Sequence, residues 1–313
     1  MKFSYEDKQI MVNYHYVEDP RPDFQGIHPC AVKEFERQIA FLSANYSFAT
    51  VPEVERAAAR GSDEKLCAIT FDDGLQDQYE YALPILKKYG ARATFFIITS
   101  TLLGKIPTAH KIHVLLSRVE PDELIDVFND FIRAAYPDSA NLLLIPKDRK
   151  LTERRIYDDM FTANIKEALT VSPQDIQSAF LRHTFVVFAL DEASLCLELF
   201  MDENTLRKLR YDGFSIGNHT HSHASFEHES REFLYRDLTI SQGMLTRILE
   251  KIPTVVAYPY GRPNKNVSEM LVDAGFTHGV TVEQRRLEKS DHPLFLPRYN
   301  TNDIKLFLDN LTV

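Results

Sequence analysis

Three cysteines serve 313 residues, and Cys30, Cys67 and Cys196 stand far apart. Their odd number and wide spacing exclude a disulfide framework and a cysteine-rich zinc module. Cys67 lies inside an apolar run and reads as a small core residue rather than a nucleophile. Runs of lysine or arginine are also missing, and the formal net charge is −9. That balance speaks against nucleic acid and against an anionic membrane as partners. No window approaches the length and apolarity of a transmembrane helix. The opening stretch, MKFSYEDKQIMVNYHYVEDP, has acids early and no apolar segment, so it does not read as a signal peptide. The expectation is a soluble, cytoplasmic protein. Internal repeats and low-complexity tracts are absent as well.

What remains is an ordinary globular balance, 44% hydrophobic and 26% charged, enough for one large α/β domain or two smaller ones. A first strand reads from 9 to 16, and Val32, Phe35, Ile39 and Phe41 give 31–45 the stripe of an amphipathic helix. LCAITF (66–71) and ATFFII (93–98) are short apolar runs, as in strands buried on both faces. Between them a helix is expected over 75–89, closed by Gly90. The alternation resumes near Glu203: a helix to Gly213, strand 214–217, helix 230–251, strand 254–258, helix 264–274, strand 276–282 and a late strand 294–297. Alternating strands and helices specify a parallel α/β fold. About seven such units suit a complete or partial (β/α) barrel.

From 101 to 201 that rhythm breaks into almost continuous helical patterning, with Pro121 and Pro173 where helices begin. Its many leucines, isoleucines and phenylalanines are too apolar for a solvated linker. The division is therefore a barrel of residues 1–104 and 201–313 carrying a helical insertion subdomain at 105–200. Since the insertion departs just beyond a strand's C-terminal end, it is expected at the rim of the active-site face, shaping the substrate entrance. An oligomerisation surface is the alternative, and the oligomeric state is not legible.

SIGNHTHSHASF (215–226) concentrates histidine. His219 and His223, four apart, share one face of a helical turn. Such a pair can hold a zinc ion, given a carboxylate from elsewhere. Asp72 and Asp73 follow the strand 66–71, and the ends of parallel strands are where functional residues gather. Adjacent carboxylates at a buried strand end are costly unless neutralised. A helix cap would account for one, Asp73. One carboxylate with two imidazoles leaves an open position for water, and the second carboxylate is then free to act as a base. A further loop, YPYG (258–261), offers the Tyr260 amide to a developing oxyanion, although such a turn is common without function.

Together and in this order, TFDDG (70–74), GNHTHSH (217–223) and YPYG (258–261) resemble the polysaccharide deacetylases with a NodB homology domain, a carbohydrate esterase family. The resemblance implies a distorted (β/α) barrel, one divalent metal ion, usually zinc, and hydrolysis of an N-acetyl group on a sugar. By position, Asp72 matches the catalytic base, Asp73 the metal carboxylate, and His219 and His223 the metal imidazoles; His221 points away. Three departures stand out. The arginine that precedes Pro-Tyr-Gly in many members is Ala257 here, the groove tryptophan is missing, since the chain has no Trp, and no closing His-terminated strand follows residue 280, where only His292 occurs, before Pro293. A circularly permuted branch places that strand first. IMVNYH (10–15) fits it, and Arg298 in LPRYN (296–300) can replace the missing arginine. His15 would then end a strand as Asp72 does and protonate the departing amine.

The expected function is metal-dependent removal of an N-acetyl group from an amino sugar of a bacterial surface polysaccharide or its cytoplasmic precursor, so the partner is an acetylated amino sugar or glycan. The alternatives are a small-molecule amide hydrolase, such as a deformylase or amidase, and an inactive sugar-binding homologue.

Overall fold

In the computed structural model, which describes residues 3–21, 27–153, 155, 158–261, 263 and 267–311, short buried strands alternate with helices. The chain runs β1 (Gln9–Tyr14), α1 (Val32–Asn45), β2 (Ser47–Phe48), α2 (Val51–Arg60), β3 (Leu66–Phe71), a π-helical turn (Gln78–Ala82) leading into α3 (Leu83–Lys88), and β4 (Ala93–Ile97). A helical stretch follows: α4 (Thr108–Arg118), α5 (Pro121–Ala135), α6 (Ala140–Leu143), α7 (Met160–Val171), α8 (Gln174–Val187) and α9 (Glu192–Leu199). Alternation returns with α10 (Glu203–Tyr211), β5 (Ser215–Asn218), α11 (Arg231–Leu249), β6 (Val255–Ala257), α12 (Ser268–Asp273), β7 (His278–Val280), β8 (Tyr299–Asn300) and α13 (Thr301–Leu311).

The strands form one curled, wholly parallel sheet in the order β7-β6-β5-β4-β3-β1-β8, with β2 beside β3. This is a distorted, partial (β/α) barrel, as the sequence pattern specifies. Every residue of β1 and β4 is buried, which is why these strands read as unbroken apolar runs. Successive side chains still alternate between faces. Ile10, Val12, Tyr14, Ile69 and Phe71 join the core under α1 and α3, whereas Met11, Ala68, Phe96, Val280 and Leu296 form a second cluster with Val51 and Val54 of α2.

Local differences from the sequence reading have physical causes. Leu75 does not begin a helix; it makes an antiparallel bridge to Phe200. The helix that follows contains the π-turn, closed by Leu83 N donating to Gln78 O. Pro84 explains it, because proline has no N–H and its ring crowds the carbonyl four residues back. Strand 294–297 reduces to one bridge, Leu296 to Val280. The expected helix 264–274 is seen from Ser268 to Asp273, and residues 264–266 lie outside the described set. α2 and α13 are additional. α2 had a legible signal, the Thr50–Glu53 capping box ahead of Val51.

The chain divides into two compact units, one of Met1–Asp19, Pro29–Lys105 and Cys196–Val313, the other of Pro20–His28 and Ile106–Leu195. The second has its own core: Phe128 and Phe131 pack on Phe180 at 4.9 and 5.6 Å, and Asn129 clasps both the amide and the carbonyl of Ile145. Among the described residues no helix is long and apolar enough to cross a membrane.

Gly279 marks the tightest approach in β7. A Cβ there would lie 2.4 Å from the Leu294 carbonyl and 2.2 Å from the Tyr258 hydroxyl, which donates to that same carbonyl. Gly279→Ala is expected to cost about 1–3 kcal/mol, measured by urea unfolding; an unchanged midpoint would refute this packing.

Candidate active site

β1 and β3 pair in parallel with Tyr14 opposite Phe71, and the Asp72 amide extends the ladder by donating to Tyr14 O at 3.0 Å. Alternation then puts Asn13 and His15, along and just beyond β1, on the same face as Thr70 and Asp72, along and just beyond β3. A buried Arg298 reaches this face from the segment before β8. Its Nη1 and Nη2 donate to Asp72 Oδ1 and Oδ2, each at 2.8 Å, and Nη1 also reaches Asn13 Oδ1 (3.0 Å) and Thr70 Oγ1 (3.2 Å). Its Nε donates to Thr281 O at 2.8 Å. Asn13 Nδ2 donates to Asp72 Oδ2 at 3.0 Å. Burial opposes the charge on Asp72, but the Arg298 guanidinium, with His219 and His15 beside it, outweighs burial and holds the carboxyl below its ordinary value. Asp72 is thus an ionised, oriented acceptor. His15 Nε2 stands 3.9 Å from Asp72 Oδ2 on a part-exposed side chain.

Asp73, His219 and His223 gather beside it. Their ligand atoms all lie within 4.8 Å of one another, with Nε2 of His219 and His223 at 3.3 and 3.6 Å from Asp73 Oδ1. His219 Nδ1 lies 2.8 Å from Ala257 O. A proton on Nδ1 donated to that carbonyl leaves Nε2 to face the carboxylate, the arrangement a metal-binding imidazole requires. The electrostatics agree. Burial disfavours charge on His219, yet the Asp73 carboxylate, placed to accept from Nε2, and the nearby Asp72 lift its pKa above the ordinary value. A buried pocket that draws a proton onto imidazole in this way suits a cation. One carboxylate and two imidazoles are a donor set for zinc or a similar divalent ion. His221 is not part of it; its Nδ1 is 2.9 Å from Thr99 Oγ1.

The backbone here is bent out of its preferred basins. Among the described residues six non-glycines have positive φ, and Asp73 (76°), Thr220 (66°), His223 (60°) and Tyr260 (60°) are four of them. Each such residue costs on the order of 1–3 kcal/mol and persists only where its surroundings hold it. For the histidine loop the holder is Asp237 of α11, a buried carboxylate that accepts from His221 N (2.6 Å), Ser222 N (3.1 Å) and Ser222 Oγ (2.6 Å). The Tyr260 ring packs 4.9 Å from that of His223.

The fold therefore brings Asp72, Asp73, His15, His219, His223, Arg298 and Tyr260 to one end of the sheet. His292 is elsewhere, in the turn before Leu296, where its Nδ1 accepts from Leu294 N. Asn13 and Asp237 escaped the sequence reading. Both had a signal: Asn13 is an amide set between apolar residues of a buried strand, and Asp237 sits on the apolar stripe of α11 between Leu234, Leu238 and Ser241. A cavity of about 390 Å³ opens elsewhere, lined by strand-start residues such as Thr94, Ser215 and Val255, and contains none of these groups.

A sequence model of the family described as polysaccharide deacetylase matches residues 59–142 and 154–279. The chain belongs to that family. It is 38% identical over 86 residues to the putative polysaccharide deacetylase YxkH of Bacillus subtilis, covering 26% of this chain and 28% of that protein. It is 32% identical over 139 residues to the poly-β-1,6-N-acetyl-D-glucosamine N-deacetylase of Staphylococcus epidermidis, covering 40% of this chain and 47% of the relative. The matches thus span less than half the length of either relative. Streptococcus pyogenes deacetylase PplD, solved in complex with acetate, superposes with a TM-score of 0.59 over 95% of this chain and 96% of its own, at 17% identity, which speaks to the fold alone.

If the trio holds the ion, His223→Ala should lower divalent-ion affinity more than about a hundredfold, beyond the loss typical of removing an outer partner. His221→Ala should leave it nearly intact. Calorimetric titration with zinc checks this, and equal losses at the two positions would discard the assignment.

Proposed function

We propose that this polysaccharide deacetylase family member is a zinc-dependent hydrolase that removes N-acetyl groups from the amino sugars of a bacterial surface polysaccharide. The observation that carries the reading is the buried, doubly hydrogen-bonded Arg298–Asp72 pair set beside Asp73, His219 and His223. An aspartate kept ionised next to a cation site is what amide hydrolysis needs. The glycan class is supported by the staphylococcal relative, whose name specifies poly-β-1,6-N-acetyl-D-glucosamine. We extend the proposal to a cytoplasmic precursor of such a polymer as the alternative form of the substrate.

A divalent ion held by Asp73, His219 and His223 would polarise the acetyl carbonyl and acidify water. Asp72 accepts the proton of the attacking water, its two oxygens aimed by Arg298 and Asn13. The Tyr260 backbone amide is assigned to the oxyanion that develops on the acetyl oxygen. His15, beside Asp72 and part-exposed, gives the departing nitrogen its proton as the C–N bond breaks. The products are acetate and the free amine. Arg298 acts through Asp72, and its rigid fork explains why Ala257 can stand where many relatives carry an arginine.

Asp72→Asn should keep the ion and lose turnover by roughly a hundredfold or more, the usual scale for a general base. Acetate release from N-acetylglucosamine oligomers, read beside ion content, decides it; wild-type release by Asp72→Asn protein would remove the base assignment. Arg298→Ala should do more, since it strands a buried carboxylate and costs about 3–5 kcal/mol of stability. Thermal unfolding of that variant is the check, and an unchanged transition would show that the pair is not buried as described.

A further inference from the structure

Gln78 opens the π-turn and is fully buried. Its Nε2 donates to the carbonyl of Asp72 at 2.6 Å and to the carbonyl of His15 at 3.0 Å. These two carbonyls belong to the residues that leave β3 and β1 at the same register. The backbone ladder makes its last bond at Asp72 N to Tyr14 O. One step further on, the side-chain amide of Gln78 bridges the two strand ends instead. Asp77 fastens the same end, with Oδ2 accepting Val17 N at 2.9 Å. Two consecutive side chains thus grip the backbone at residues 15, 17 and 72. They come from a helix that is irregular at that point, and π-turns inside helices recur at functional sites.

We propose that Gln78 is a positioning residue for deacetylation. By tying the His15 and Asp72 carbonyls to one amide, it sets the separation of the acid from the base, 3.9 Å between His15 Nε2 and Asp72 Oδ2. It touches neither substrate nor ion and acts through the backbone of both strands. The inference rests on the assignment of His15 as the acid. Amide hydrolysis joins the water oxygen to the acetyl carbon, breaks the C–N bond and puts a proton on the departing nitrogen. An aryl acetate instead releases a phenolate, which leaves without that proton. Disturbing His15 should therefore slow the amide and spare the activated ester.

The test uses the whole zinc-loaded protein. Gln78→Met keeps the side-chain length and removes the donor. Its zinc content should match wild type and its unfolding should stay cooperative, with a midpoint lowered by the two carbonyls left without a donor. For N-acetylglucosamine oligomers kcat should fall roughly tenfold to a hundredfold, the scale of a small misplacement of a catalytic group. KM should stay within about twofold. Hydrolysis of para-nitrophenyl acetate should change by less than about threefold. His15→Ala should show the same selective loss, and the double variant should be no slower on the amide than His15→Ala alone, because coupled residues do not add. Equal loss on amide and ester, or multiplied losses in the double variant, would overturn the proposal. A selective loss in His15→Ala with a wild-type amide rate in Gln78→Met would overturn it alone. A wild-type amide rate in His15→Ala would remove the acid assignment and this inference with it. If Gln78→Met does not fold, Gln78→Asn, whose amide is one methylene short of both carbonyls, is read in the same way.

Discussion

Burying the Arg298 guanidinium against the Asp72 carboxylate is the constraint on which this molecule turns. Two full charges out of water cost several kcal/mol each, roughly speaking, unless geometry and further hydrogen bonds return it. Here each carboxylate oxygen takes a guanidinium nitrogen at 2.8 Å, and the remaining donors find Asn13, Thr70 and the Thr281 carbonyl. One side chain thereby joins β1, β3, the residue after β7 and the approach to β8. The partners are 226 positions apart in the chain. The sheet must curl to bring them together, and once it has, the Asp72 carboxylate is ionised and immobile.

A second constraint is local strain. Asp73, Thr220, His223 and Tyr260 all take left-handed backbone that non-glycine residues avoid. In each loop the bend turns the chain out of the strand direction just where a functional side chain is needed. Asp237 shows how such a bend is retained: its carboxylate satisfies two successive amides and a hydroxyl of the histidine loop, so relaxing the loop would strand buried donors. The stability of the helix behind the loop is thus spent on the position of His219 and His223.

The two groups also act on each other electrically. Asp72 is neutralised by Arg298, and the carboxylate left over is Asp73, which lies against both imidazoles. The site divides its two adjacent aspartates by environment, one facing a fixed protein cation and the other a cluster with the composition of a metal site. Neighbouring residues of one motif are thereby given different electrostatic surroundings.

Much of this was legible in the residues themselves. Unbroken apolar runs such as LCAITF and ATFFII specify buried parallel strands, and polar groups at their ends mark the functional edge of the sheet. The pairing of Asp72-Asp73 with His219 and His223 follows from motif and order. Even the role of Arg298 beside Asp72 was within reach, because the loop that usually supplies that arginine holds Ala257. Other features were not legible, for reasons of physics rather than of pattern. The π-turn depends on how Pro84 is accommodated in a helix that must also bury Gln78. Asp237 could be picked out as an acid on an apolar helix stripe, but which loop its carboxylate organises is set by where α11 packs. Whether His15 or His292 stands beside Asp72 is a question of strand neighbours, and sequence periodicity records only which face a side chain takes, not which strand lies next to it. Local residue chemistry determined the elements and the candidate groups; the parallel register of β1 against β3, a contact between distant segments, decided which of those groups meet.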